Sequence, residues 1–178
     1  MANYETAFLF MQENEDDPRK PGKVTRDNDR GMVRFGLNSN SNPDLLARGF
    51  YSMPTLEALA LARDVYRERY WVPIWGDDLK SQRVANKLLD MSVNMGPVQA
   101  IKLAQRVPGV WNKDLALSVD GKMGPKSLAA INATDEDQMV TGLRKEWKIF
   151  IGKVIEVKPQ YAELKDEWEA RAEQQANA

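Results

Sequence analysis

Residues 13–38 read ENEDDPRKPGKVTRDNDRGMVRFGLN, and this stretch decides how the rest of the chain is read. Just before it, Phe8-Leu9-Phe10-Met11 is apolar on every side. A helix with that pattern is buried all round. The run breaks off into Glu13, Asn14, Glu15, Asp16 and Asp17. A polar stretch with Gly22 and Gly31 follows, and then the short apolar unit Phe35-Gly36-Leu37. The pattern predicts a helix over 6–15 and a long loop over 16–41, with short strands at 23–25 and 32–37. Loops of that length in compact domains are commonly functional. Acids at a helix C-terminus oppose the macrodipole, at about 0.3–1 kcal/mol each. A carboxylate kept there, against apolar neighbours, is placed where burial favours the protonated acid that a glycosidase uses as proton donor. The bland alternative is a solvated helix end.

Outward from this stretch the chain reads as mainly α. Leu56, Leu59, Ala62, Val65 and Tyr66 fit the helical period and predict a helix over 54–70 with Ser52 as its cap. An aromatic connector, Tyr70-Trp71-Val72-Pro73-Ile74-Trp75-Gly76, follows. Val84, Leu88, Met91 and Met95 share one face of a helix over 80–95, which Gly96-Pro97 stops. Further helices are predicted over 98–106, 125–132, 135–155 and 158–175. Residues 119–125 (VDGKMGP) form a tight turn before one of them.

Composition narrows the chemistry. The 178 residues include no cysteine and no histidine. Disulfides, thiolate metal sites and imidazole catalysis are therefore excluded, and acid–base chemistry rests on Asp, Glu, Lys or Tyr. No cofactor is called for. A net charge of −1 and a pI near 5.7 disfavour a nucleic-acid partner. The N-terminus lacks the basic start and long apolar stretch of a signal peptide. No stretch is long and apolar enough to insert in a membrane.

Two further groups could grip a ligand. Asn86, Asp90 and Asn94 recur every four residues, one polar stripe beside an apolar face. They suit sugar hydroxyls and N-acetyl groups, or equally a buried cap for a neighbouring backbone. Tyr70, Trp71 and Trp75 could stack on sugar rings or plug the core, and large burial energy favours the core. The 119–127 turn lacks phosphate-loop spacing.

Taken in order, these blocks resemble glycoside hydrolase family 108, muramidases with a C-terminal peptidoglycan-binding-like region. The blocks are the acidic helix end with Gly31-Met32-Val33-Arg34-Phe35-Gly36-Leu37, ALARDVYRERYW at 60–71, QRVANKLLDMSVNMGPVQAIKLAQR at 82–106, DGKMGPKSLAAI at 120–131, and LKDEWEAR at 164–171. The resemblance implies a lysozyme-like helical fold with a short loop or β-hairpin segment near the N-terminus. It implies a catalytic region over 1–97 with a helical peptidoglycan-binding-like region over 98–178 packed on it. It further implies cleavage of the N-acetylmuramic acid–N-acetylglucosamine bond with a glutamate general acid. The proton donor is Glu13, which directly follows the apolar run, or Glu15, which lies nearer the downstream motif. Asp27 or Asp29 would stand across the cleft, and Arg34, Tyr70, Trp71, Asp90 and Asn94 would hold glycan.

The chain also departs from the family pattern. Val33 stands where the family has threonine, and Arg30-Gly31 where it has Gly-Gly. Thr25, Asp27 or Asp29 are the candidates to supply the missing polar group. The expected substrate is bacterial peptidoglycan. The setting would be a phage endolysin released through a holin or an antibacterial effector of a secretion system such as type VI, acting in the periplasm. A delivery protein or an immunity protein would then be a partner. The rival reading is a catalytically impaired module that only binds peptidoglycan or a partner.

Overall fold

The structure, a computed structural model, describes residues 1–15, 19–26, 31–174 and 176. The first helix, α1 (Tyr4–Glu15), buries Tyr4, Ala7, Phe8, Phe10 and Met11. Phe8 and Met11 are almost completely enclosed, each worth about 1.5–3 kcal/mol of burial. The chain then forms a small antiparallel sheet of β1 (Thr25–Arg26), β2 (Met32–Arg34) and β3 (Leu37–Asn38), in that spatial order. The register pairs Thr25 with Val33 and Arg34 with Leu37. Phe35 and Gly36 alone connect β2 to β3, at φ +49° and +75°. Two successive residues with positive φ mark the tight hairpin turn whose twist matches that of its strands.

A short helix, α2 (Pro43–Ala47), has too few residues to announce itself by periodicity. In α3 (Thr55–Tyr66) the cap position is Pro54, not Ser52. The Ser52 hydroxyl donates instead to the Gly49 carbonyl at 3.1 Å. The helix expected to run straight to 70 widens into a π-helical turn over Arg67–Trp71. This turn drives Trp71 fully into the core, where its Nε1 donates to Asp77 Oδ1 at 2.9 Å. Gly76 packs flat on the Trp71 ring, with no room for a β-carbon.

Helix α4 (Gln82–Met95) is the central element. Ser81 Oγ caps it by accepting from the Val84 amide at 3.1 Å. It packs against α1, α5 (Pro97–Arg106) and α8 (Glu136–Val157). Between these last two lie α6 (Pro108–Trp111) and α7 (Pro125–Ala133). The single C-terminal helix expected over 158–175 is instead a 3₁₀ stretch, Pro159–Leu164, followed by α9 (Lys165–Glu173). One continuous apolar core runs from Phe8, Leu37 and Trp71 through Leu88 and Leu103 to Leu143, Trp147 and Ile151. The fold is mainly α, with the hairpin inserted near the N-terminus. Among the described residues no helix is long and apolar enough to cross a membrane.

Candidate functional site

Helix α1 ends at Glu15, and the hairpin folds back so that its turn meets that residue. A β-carbon placed on Gly36 would lie 2.7 Å from Glu15 Oε2 and 2.7 Å from the Tyr66 hydroxyl. Only glycine fits between them, and its φ of +75° asks for glycine as well. Phe35 holds the preceding left-handed position, which strains a bulky side chain by about 1–3 kcal/mol. Its ring is buried against Gly22, and its carbonyl accepts from the Tyr66 hydroxyl at 2.8 Å. The strained turn is thus pinned from two sides, and it sets the backbone of Gly36 beside the carboxylate.

Glu15 opens into a cleft of about 260 Å³ lined by Lys20, Lys23, Thr25, Val33, Arg34, Phe35 and Gly36. Its side chain is 16% exposed, and Oε1 accepts from Arg171 Nη2 at 2.5 Å. Arg171 also reaches Asp90 Oδ1, with Nη2 at 2.6 Å and Nε at 3.0 Å. Asp90 is fully buried, and burial pushes its carboxyl above the usual range against the pull of Arg171. Tyr66 and Tyr70 complete the surroundings, their rings 5.6 Å apart. Burial raises both phenols, and the Glu15 charge adds to this.

The cluster sorts the expected residues. Glu13 lies on the exposed side of α1 and does not line this cleft; Glu15 does. Asp27 and Asp29 lie outside the described residues. Arg34 lines the cleft, but its guanidinium is committed to backbone. It donates to the carbonyls of Gly22 (2.9 Å), Phe50 (2.7 Å) and Met53 (2.8 Å) and to Thr55 Oγ1 (3.2 Å). It therefore braces the hairpin against α3. Trp71 offers no face to a ligand, because it is a core plug. Tyr70 is half-buried beside Tyr66. Asp90 touches the cluster through Arg171 and presents no surface of its own. Asn94 is exposed in a different groove, with Met95, Phe150 and Trp168.

Arg171, Tyr66, Lys20 and Lys23 join the cluster without having stood out in the sequence as site residues, Tyr66 only as part of a helix face. Arg171 is 156 residues from Glu15, in a helix of charged residues without an apolar stripe, and its place at the end of the LKDEWEAR block is the local signal that marks it. The Asp120-Gly121 turn is structural. Gln105 holds it by donating to Asp120 Oδ1 at 2.8 Å and accepting from the Gly121 amide at 2.9 Å. Among the described residues no three acidic side chains converge to hold a metal ion.

Residues 18–96 match the family model of glycosyl hydrolase 108. The match begins three residues after Glu15 and ends at Gly96, so it spans the hairpin, α3 and α4. No curated protein matches the chain. Among solved structures, that of Brucella abortus SagA is similar over 98% of this chain and 96% of its own, with a TM-score of 0.63 and 22% identity. At that identity the likeness speaks for the fold. Residues 18–96 are thus similar to glycosyl hydrolase 108, and the chain as a whole shares its fold with SagA.

Proposed function

We propose that the protein is a peptidoglycan hydrolase that cleaves the glycosidic bond between N-acetylmuramic acid and N-acetylglucosamine, with Glu15 as general acid. One observation carries this reading. Glu15, at the end of α1, lines the cleft and abuts the strained Phe35-Gly36 turn, while Glu13 is exposed and does not line it. With Oε1 engaged by Arg171, Oε2 is the oxygen left to carry the proton to the leaving sugar. A positioned acid of this kind contributes typically about 10²–10⁴-fold.

A second group must handle water or the developing positive charge. Thr25 is the described candidate. It pairs directly across the sheet from Val33, on the same face, and both line the cleft. A hydroxyl absent at Val33 is thus available one strand away. Lys20 and Lys23 give the cleft a positive rim for an anionic glycan. The reading places the enzyme's work in the cell wall, reached by phage lysis or by injection into a competitor.

Mass analysis of purified peptidoglycan after digestion tests this. Fragments ending in reducing N-acetylmuramic acid are expected. Anhydro ends would make it a lytic transglycosylase, and sedimentation with peptidoglycan without release of fragments would make it a binding module.

A further inference from the structure

One interaction that ties distant parts of this chain together also touches the candidate acid. Arg171 of α9 lies outside the segment matched to the family and bridges Glu15 of α1 to Asp90 of α4. Its side chain is 17% exposed, and the Asp90 side chain 0%. Asp90 Oδ1 takes two guanidinium contacts, while Oδ2 is buried without a hydrogen-bond partner among the described residues. A fully buried carboxylate with one unsatisfied oxygen costs several kcal/mol unless paired. It is an expensive way to hold a helix that Arg144, Lys148 and Lys87 already secure. Arg144 and Lys148 pair with Glu173, and Lys87 Nζ donates to the Arg171 carbonyl at 2.9 Å.

The expense has a chemical use at Glu15. A general acid must hold its proton at working pH. A lone guanidinium on Oε1 would fix the carboxylate in space but favour its charged form. A second carboxylate on the same guanidinium cancels that charge while leaving the geometry intact. We propose that Arg171 is a positioning residue for Glu15 and that Asp90 is its counter-charge: the C-terminal helix delivers the guanidinium that orients the acid, and the buried aspartate neutralises it so that the acid can keep its proton. This rests on the reading of Glu15 as general acid.

Other charges also face Glu15. Lys20 and Lys23 line the cleft from the loop, Arg34 from β2, and Tyr66 and Tyr70 from α3 and the π-helical turn. Lys87 acts on Asp90 from within α4. None of these bonds both carboxylates, so Arg171 and Asp90 are the pair whose removal changes the balance.

The test compares pH–rate profiles of Asp90→Asn, Arg171→Met and Arg171→Lys with wild type on peptidoglycan. The alkaline limb reports the general acid. Asp90→Asn leaves the guanidinium uncompensated and moves that limb to lower pH by about one unit. Arg171→Met moves it to higher pH and lowers kcat about 10²-fold through misplacement of the acid. Arg171→Lys restores part of kcat and brings the limb back toward wild type. Melting curves and near-ultraviolet circular dichroism confirm that each variant is folded. If Asp90→Asn does not fold, the two Arg171 variants carry the comparison.

Limbs that superimpose on wild type, with activity falling only in step with folded protein, overturn the proposal and leave Arg171 a structural staple. Carbon NMR titration of the Glu15 side chain reads the same balance without turnover. Its midpoint falls relative to wild type in Asp90→Asn and rises in Arg171→Met. An inactive wild type with those shifts would sink the hydrolase reading and keep the charge pairing, whereas an active wild type without them would do the reverse.

Discussion

At the scale of single residues, the site depends on a place where nothing larger than hydrogen fits. Gly36 has Glu15 Oε2 on one side and the Tyr66 hydroxyl on the other. Gly36→Ala therefore meets a contact that must displace the carboxylate, on top of a backbone that disfavours a side chain at φ +75°. The expected outcome is a loss of about 10²-fold in kcat, with destabilisation of about 1–2 kcal/mol, measured by turbidity clearance and urea unfolding. A variant as active as wild type would mean that Glu15 is not held by this turn. The unit Phe35-Gly36-Leu37 stood out in the sequence, but its clash partners did not, because they come from α1 and α3. Arg34 shows the opposite error. In sequence it looks like a ligand-binding cation, yet its bonds to Gly22, Phe50 and Met53 carbonyls make it a brace.

At the scale of elements, α4 and α9 are joined by a buried lysine. Lys87 is 0% exposed, donates to the Arg171 and Gln174 carbonyls, and lies 4.9 Å from the centroid of the Trp147 ring. Burial pushes its pKa down from 10.5 to about 8. Between those values the unfolded chain binds a proton that the native protein does not, so stability rises with pH. The cost of burying the charge is fully present below pH about 8, is relieved toward 10.5, and amounts to roughly 3 kcal/mol. Lys87→Met removes that slope. Urea unfolding between pH 7.5 and 9.5, below the range where the raised Tyr4 and Tyr66 phenols matter, should show stability rising with pH in wild type and flat in the variant. Equal slopes would mean that Lys87 is charged throughout or solvated.

The helices themselves were legible where an apolar face repeats. Val84, Leu88 and Met91 mark α4, and Met139, Leu143 and Trp147 mark α8, all of them buried. The π-helical turn at Arg67–Trp71 was not legible, because it is made by the demand to bury Trp71 against Gly76, a tertiary requirement. The break at Pro159–Leu164 escaped notice because Tyr161, Leu164 and Trp168 keep a helical spacing across it.

At the scale of the whole molecule, the two halves share one core. Trp147 of α8, 1% exposed, covers Lys87 of α4, and Arg171 of α9 reaches Glu15 of α1. The segment matched to the family ends at residue 96, before any of those C-terminal partners. A fragment of residues 1–97 therefore exposes the faces of α4 that α5 and α8 cover. It is expected to lack a cooperative thermal transition, as followed by circular dichroism, whereas the full chain unfolds in one step. A sharp transition in the fragment would show that the N-terminal half is an independent domain. The sequence suggested a partition near 97 from its motifs, and contacts across 80 or more residues, such as Arg171 to Asp90, leave no trace in local pattern.

The role proposed for Glu15 is to give the proton. Its most direct test is the rate at which purified peptidoglycan releases soluble fragments with wild type, Glu15→Gln and Glu13→Gln at equal folded concentration. Glu15→Gln is expected to lose at least about 10²-fold while Glu13→Gln stays near the wild-type rate. A Glu15→Gln variant at the wild-type rate, or a loss confined to Glu13→Gln, would contradict it.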